Sequence, residues 1–438
     1  MNMIRKRNLL LTFTYFSLAG WVFTLPAHAA DWPHWRGPNR NGISGESSGW
    51  EQGAWKNLQP AWKTNVGING SAPLVVAGRI YTLGWDNEQT HVYCLDAVSG
   101  KEAWKQSFRC PKFGRHAIGD QGLYSGPSSA PEFDAQTGYL YTLSADGDLH
   151  CWDTRRDGAK VWHLNLYDEY GIGRRPQPTA RRGTLRDYGY TTAPLVYQDV
   201  VIVEVGAKEG NLMAFAKDTG QRVWVSENQD PAGHTGGLVP LTVEGVPCVA
   251  VLTIYNLVVS RLDKGNEGQT VATYPWITDF ANNIATPAVL GNEVVITSAY
   301  NKFAICKVRV TLKGAEKVWE QRHASGVCSP VIHKGNVYWA WRTVHCLDWQ
   351  TGEPRWIGGN YGDAGSCIVT ADDRLIIWAK RGDLALAETA ERSPKQYQEL
   401  FRQNNLTNSD VWPHVALADG RLICKDRNGN VLCFVIGK

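Results

Sequence analysis

The feature that most constrains this chain is a short pattern that keeps returning. It has an apolar strand end, an Asp, a turn of small residues and Gly, then a strand carrying Trp. The clearest copy is LDAVSGKEAW at Leu95–Trp104. Weaker copies are WDTRRDGAKVW (Trp152–Trp162), FAKDTGQRVW (Phe215–Trp224), VTLKGAEKVW (Val310–Trp319) and LDWQTGEPRW (Leu347–Trp356); looser versions end at Trp276 and around Leu400–Phe401. A hairpin recurring every few dozen residues is the signature of a propeller or solenoid, where each unit buries its apolar face by stacking on its neighbours. A repeat of this kind lets 438 residues, beyond the usual size of one domain, share one architecture.

Seven full units run Ser71–Phe108, Ser128–Leu166, Thr191–Asn228, Gly237–Trp276, Ala285–Arg322, Cys328–Gly359 and Gly365–Gln403. Within them, short β-rich runs are separated by tight-turn pairs such as Ala77-Gly78, Glu244-Gly245 and Asp419-Gly420. Pro73, Pro131, Pro194, Pro240, Pro287, Pro330 and Pro413 stand at or near the start of a unit's first strand, where no ladder N–H is lost. The eighth unit, Val411–Lys438, has three strands and then the chain stops, while Pro60–Val66 reads as a Trp-bearing fourth strand with nothing before it. Joining the two predicts an all-β, eight-bladed β-propeller of four-stranded antiparallel blades, the last closed by the N-terminal strand. The one helical-looking stretch is Lys395–Gln403.

Upstream, Arg5, Lys6 and Arg7 precede an apolar run from Leu9 to Leu25 and an Ala27-His28-Ala29 site, the pattern of a secretory signal peptide cleaved after Ala29. This predicts residues 1–29 as signal, 30–59 as an extended leader rich in Gly, Pro and Asn, and 60–438 as the propeller. No Cys follows the cleavage site to carry a lipid, so a periplasmic or secreted protein without a stable membrane anchor is expected. The formal charge of +3 then belongs to the signal, and the near-neutral remainder speaks against a nucleic-acid partner. Ten cysteines would ordinarily suggest disulfides, yet Cys94, Cys151, Cys346 and Cys433 recur at one point of the repeat, as small buried fillers do. Cys110, in a loop, is the expected reactive thiol.

The motif resembles that of the pyrroloquinoline-quinone (PQQ) repeat propellers, an LDAxTGKxxW-like unit matched best at Leu95–Trp104, Leu347–Trp356 and Phe215–Trp224. The segment WPHWRGPNRNG (Trp32–Gly42) looks like the leader of exported bacterial members. The resemblance implies the fold and two relatives in function: quinoprotein dehydrogenases, and the propeller subunit of the outer-membrane assembly machinery. Dehydrogenases of this kind stack PQQ on a vicinal disulfide beside calcium; this chain has no Cys-Cys pair. The assembly subunit is lipid-anchored through a Cys missing here.

Ligand-binding residues are expected in the loops joining each blade's last strand to the next blade's first, which share the channel mouth. Loop 109–127 offers Arg115, His116, Asp120 and Tyr124. His116 and Asp120 have the residue types of an oriented acid–base pair, and equally those of a solvated loop whose Asp pairs with Arg. Loop 167–190 offers Arg174, Arg175, Arg181, Arg182, Arg186 and Tyr190, guanidinium forks suited to carboxylate or phosphate, or to internal ion pairs with Asp168, Glu169 and Asp187. Shorter loops add His234, Asp279, Asn282, Asn283, Asp363, Asp410, Trp412 and His414. No nucleophile elbow, P-loop or zinc motif is present. The sequence thus predicts a binding or interaction scaffold for a polar small molecule, glycan or protein. The alternative is a periplasmic quinoprotein-type dehydrogenase of alcohols or sugars, with PQQ and calcium, or a carbohydrate-active propeller.

Overall fold

The structure is a computed structural model, describing residues 31–437 apart from 117, 121, 179–185, 364 and the side chain of Phe280. The expected signal peptide, Arg181 and Arg182 lie outside the described residues. Eight antiparallel sheets are arranged as blades. Blade 1 comprises Leu74–Val76, Arg79–Asp86, Gln89–Asp96 and Glu102–Arg109. Blades 2 to 5 begin at Glu132–Asp134, Leu195–Tyr197, Val239–Val243 and Ala288–Leu290, blade 7 at Gly365–Val369 and blade 8 at Ala416–Ala418. In blade 6 the continuous run Asn336–Asp348 serves as both second and third strand. It reverses at Arg342, whose φ is +61°, bringing Trp339 and His345 into a stack at 4.4 Å.

The chain's two ends meet as the strand count requires. Trp62–Asn65 is the fourth strand of blade 8, pairing Trp62 with Cys433 and Asn65 with Asn430. One expectation fails locally. Glu399–Gln403, inside the helical-looking stretch, is the outer strand of blade 7, with Phe401 opposite Leu386. The free sheet edge there outweighs a local helical pattern.

The repeat motif is a device for joining blades. Asp96 accepts hydrogen bonds from the Ser99 amide (2.9 Å) and hydroxyl (2.8 Å), which bends the chain into a tight turn. Gly100, at φ +69°, then packs so closely on Trp62 of blade 8 that a Cβ would lie 2.5 Å from the ring. The Trp62 indole N–H donates to the Ala97 carbonyl in the same turn (3.1 Å). Trp162 repeats the contact on blade 3 through Lys217 and Gly220, and Trp319 on blade 6 through Trp349 and Gly352. The recurrent cysteines lie beneath these contacts. The Cys151 and Cys433 sulfurs are 3.7 and 3.9 Å from the same carbonyls of Lys217 and Ala97. All ten cysteines are free and buried. Cys110 is among them, its thiol pushed up to about 11 by burial, so it lacks the exposure and acidity of a reactive thiol.

Residues 31–59 are more than a leader. Asp31 caps the first turn of blade 1 through the Ala77 amide, Ser48 and Glu51 hold Asp372 and Arg374 of blade 7, and Glu46 accepts the Asp419 and Gly420 amides of blade 8. These are first-to-second-strand turns, on the face opposite the channel mouth. From there the segment pushes inward. Arg40 forms a buried ion pair with Glu132 of blade 2, joined by His34 at 3.1 Å, while Arg36 donates to the Pro330 carbonyl. Trp35 reaches farthest: its ring abuts Gly236 and Gly237, where a Cβ would come within 2.6 and 2.5 Å, and its N–H donates to Thr286 (3.0 Å).

Candidate functional site: the channel mouth

Above Trp35 the channel opens into a cavity of about 600 Å³. Two sets of loops line it. Connections from one blade's outer strand to the next blade's inner strand supply Asp120, Tyr124, Arg186, Tyr188, His234, Asn282, Asp363, Asp410, Trp412 and His414. Hairpins between second and third strands, which alternation of strand direction brings to the same face, supply Tyr300, Trp341, Arg342, Lys380, Arg381 and Arg427.

Nine of the residues expected from sequence therefore line the cavity: Asp120, Tyr124, Arg186, His234, Asn282, Asp363, Asp410, Trp412 and His414. Asp120 and Arg186 form an ion pair at 3.1 Å within a two-stranded ribbon, Gly119–Asp120 against Arg186–Asp187, that ties two loops together. Asp363 pairs with Arg342 at 3.0 Å, and Arg342 in turn covers the Trp341 ring at 4.4 Å. His234 accepts the Tyr188 amide at Nε2 (3.2 Å), so its Nδ1 carries the proton donated to the Ala281 carbonyl (3.0 Å). His414 lies against Trp35 with ring centroids 4.6 Å apart. Burial, and then the Arg36 charge, push its pKa down to about 3, so the ring is neutral at ordinary pH.

The other seven serve elsewhere. Arg175 is buried against Asp187 (2.7 Å) and over the Tyr190 ring (4.9 Å), whose hydroxyl donates to the Val205 carbonyl (2.8 Å). Burial lowers the Arg175 pKa, but Asp187 outweighs it and holds the guanidinium more firmly charged than usual. Asn283 brackets the Thr253 and Trp276 carbonyls at 2.8 and 2.9 Å. The Asp279 amide donates to the Asn301 side-chain oxygen (2.8 Å). Arg115 is paired with Asp168 and Asp146, and Arg174 donates to the His116 carbonyl (3.1 Å). The acid–base pair weighed for His116 and Asp120 does not form: the His116 ring packs on Tyr167 at 5.0 Å while Asp120 is held by Arg186.

Sequence reading missed Trp35, Tyr188, Tyr300, Trp341, Arg342, Lys380, Arg381 and Arg427. For the hairpin residues the signal was present: once strand one is placed inside, second-to-third turns must share the mouth. For Trp35 there was none, because nothing local says that a leader enters a channel.

A calcium–quinone centre does not fit these walls. Among the described residues no group of three His, Cys, Asp or Glu side chains is placed to hold a metal. Asp120 and Asp363 are already neutralised by arginines, and no adjacent cysteine pair faces the cavity.

A ring of eight four-stranded blades with a ligand-sized mouth, built by the loops of every blade, defines the class: a PQQ-type repeat propeller. The family described as outer membrane protein assembly factor BamB matches residues 88–358, more than half of the chain, and the chain belongs to that family. No curated protein matches it. Among solved structures it resembles BamB from Moraxella catarrhalis (14% identity, TM-score 0.56, 86% of this chain and 100% of that one). It also resembles the quinohemoprotein alcohol dehydrogenase from Comamonas testosteroni (15% identity, TM-score 0.65, 93% of this chain and 80% of that one). A computationally designed protein, Ika8, aligns at 12% identity and TM-score 0.56 over 85% of this chain and 98% of that one. At such identities the likeness is one of fold. No helix among the described residues is long and apolar enough to cross a membrane.

Proposed function

We propose that this protein is an exported, non-catalytic binding scaffold whose channel mouth takes a polar ligand, either free or displayed on a partner. The observation that carries this reading is the cavity of about 600 Å³, within the range of small-ligand pockets, closed below by Trp35 and walled by Tyr124, Tyr188, Tyr300, Trp341 and Trp412. Aromatic faces alternating with amide and guanidinium groups suit sugars and other polar molecules with a flat apolar side. Family membership favours a role in which the propeller engages another protein, and the rim, with Leu123 exposed beside Asp120, offers a surface for it.

The dehydrogenase alternative has no support from the donor set described above. Titrating the purified protein with PQQ and calcium, followed by a dye-reduction assay, tests it: stoichiometric binding with turnover would overturn the scaffold reading. The scaffold reading itself is tested by a ligand panel, neutral and acidic oligosaccharides with peptides, scored by calorimetry on wild type and on Trp341→Ala. We expect at least one ligand class to bind and the variant to weaken it about tenfold, the size of a lost stacking face. No binding by any class, or binding indifferent to Trp341, would refute the mouth as the site.

A further inference from the structure

We propose that Arg427 anchors a carboxylate of the ligand, and that the ligand is a carboxylated sugar, a uronic acid or its short oligosaccharides. This rests on the reading of the mouth as a binding site and adds its chemistry.

Arg427 differs from the ion-paired arginines of the cavity. Arg186 and Arg342 are neutralised by Asp120 and Asp363 at 3.1 and 3.0 Å. Arg427 makes no ion pair among the described residues, although it is only 5% exposed. Its Nη2 donates to the Ser125 carbonyl (3.0 Å), and its guanidinium carbon lies 4.9 and 4.8 Å from the Tyr124 and Trp412 rings, which fix its plane. Its Nη1 is buried and has no hydrogen-bond partner among the described residues. Burial lowers its pKa to about 10 against the raising influence of Asp410, so it remains a cation at neutral pH. A buried cation with an unused donor is costly unless something meets it.

Gly70 lines the cavity beside Arg427; a Cβ there would lie 3.3 Å from Nη1 and 2.8 Å from the Ser128 hydroxyl. A side chain at this position would crowd both groups, so glycine lets the two donors stand side by side in the cavity wall. The guanidinium fork matches the two coplanar oxygens of a carboxylate. Asp410, also in the cavity wall, acts on Arg427 as its nearby negative charge, and a dianionic phosphate would meet more of its repulsion than a monoanionic carboxylate. Across the ring, the loop after blade 4 presents Asn282, whose side-chain oxygen is likewise buried, in the cavity wall, and without a hydrogen-bond partner among the described residues. An acceptor there suits a hydroxyl donor. A carboxylate at one wall, a hydroxyl at the other and flat aromatic faces between describe an acidic pyranose, whose rigid ring holds a carboxylate and several hydroxyls at fixed distances, better than a flexible peptide terminus.

The test uses calorimetric titration of the protein with di- and trigalacturonic acid and with their methyl esters. The acids are expected to bind about tenfold or more tightly than the esters, an advantage that falls as salt rises. Arg427→Gln should abolish the difference and Arg427→Lys should keep part of it; melting curves report whether each variant is folded. The acid–ester comparison in the unaltered protein decides the matter even if neither variant folds. Equal affinity for acid and ester, lost from both in Trp341→Ala, would overturn the carboxylate anchor and leave the mouth a binding site. Preference for a peptide with a free C-terminal carboxylate over both sugars would overturn the sugar assignment. Failure of the acids to bind while another panel member does so would overturn the proposal without touching the scaffold reading.

Discussion

His414 sits 4.6 Å from Trp35 at the cavity floor and stays neutral because burial, reinforced by the Arg36 charge, lowers its pKa to about 3. In the unfolded chain the ring takes a proton near pH 6.5. The unfolded state therefore binds more protons between these values. The stability from a neutral His414 is complete above about pH 6.5 and is lost as pH falls toward 3, at up to about 1.4 kcal/mol per pH unit. Denaturant titrations at pH 7, 5.5 and 4.5 should show a shallower loss in His414→Phe; an unchanged slope would refute this. His150, also lowered to about 3 by burial and then by His163, keeps its own contribution in both proteins. The cysteines give a second test at this scale. Ten buried thiols should be silent toward a thiol reagent within minutes of mixing and all react after unfolding. A count of eight would show that Cys328 and Cys367, whose sulfurs are 3.9 Å apart, have joined. Periodicity exposed the packing role of the repeat cysteines, whereas Cys110 was misread because a loop position says nothing about what lies over it.

Among the elements, the segment 31–59 does most to shape the site. Glu132 concentrates its attachment: burial pushes that carboxyl up, but Arg40 and His34 outweigh burial and hold it below its ordinary value. The same carboxylate accepts the Val196 amide of blade 3 (3.0 Å), so one side chain ties leader, blade 2 and blade 3 together. Removing it leaves Arg40 buried and uncompensated. Glu132→Ala should lose about 3–5 kcal/mol of stability and open residues 31–59 to proteolysis, while Glu391→Ala on the surface should do neither. A Glu132→Ala protein as stable and as resistant as wild type would show that the leader is held by its other contacts. Sequence placed the segment in chain order and recognised its turn residues. Its insertion is decided by partners as distant as Thr286 and Pro330, which no local pattern names.

For the whole molecule, ring closure is the organising contact. The strand Trp62–Asn65 joins the chain's beginning to its end over only four residues, backed by Trp62 on Gly100 of blade 1. Lys425 of blade 8, buried, adds donations to the Ser71 and Leu83 carbonyls at 3.0 and 2.8 Å. An opened ring would leave two blade faces bare. Thr64→Pro, which removes a backbone donor in the middle of the closing strand, should therefore cost about 3 kcal/mol or more and broaden the unfolding transition as terminal blades separate from the rest. Circular dichroism melts of wild type and variant would measure it; coincident curves would show that side-chain contacts close the ring unaided.

The repeat determined the fold through local physics: Asp-capped turns, paired left-handed turn residues, prolines at inner edges and a Trp in most of the joining strands are visible wherever they occur. Counting strands then fixed the blade number and the way the ends meet. The mouth was legible only where its residues sit in connections between blades. Which of those residues face the cavity, and which are consumed in buried pairs such as Arg175 with Asp187, depended on the tertiary structure. So did Arg427 and Trp35: a side chain's freedom to meet a ligand is set by the groups that distant parts of the chain bring, or fail to bring, within its reach.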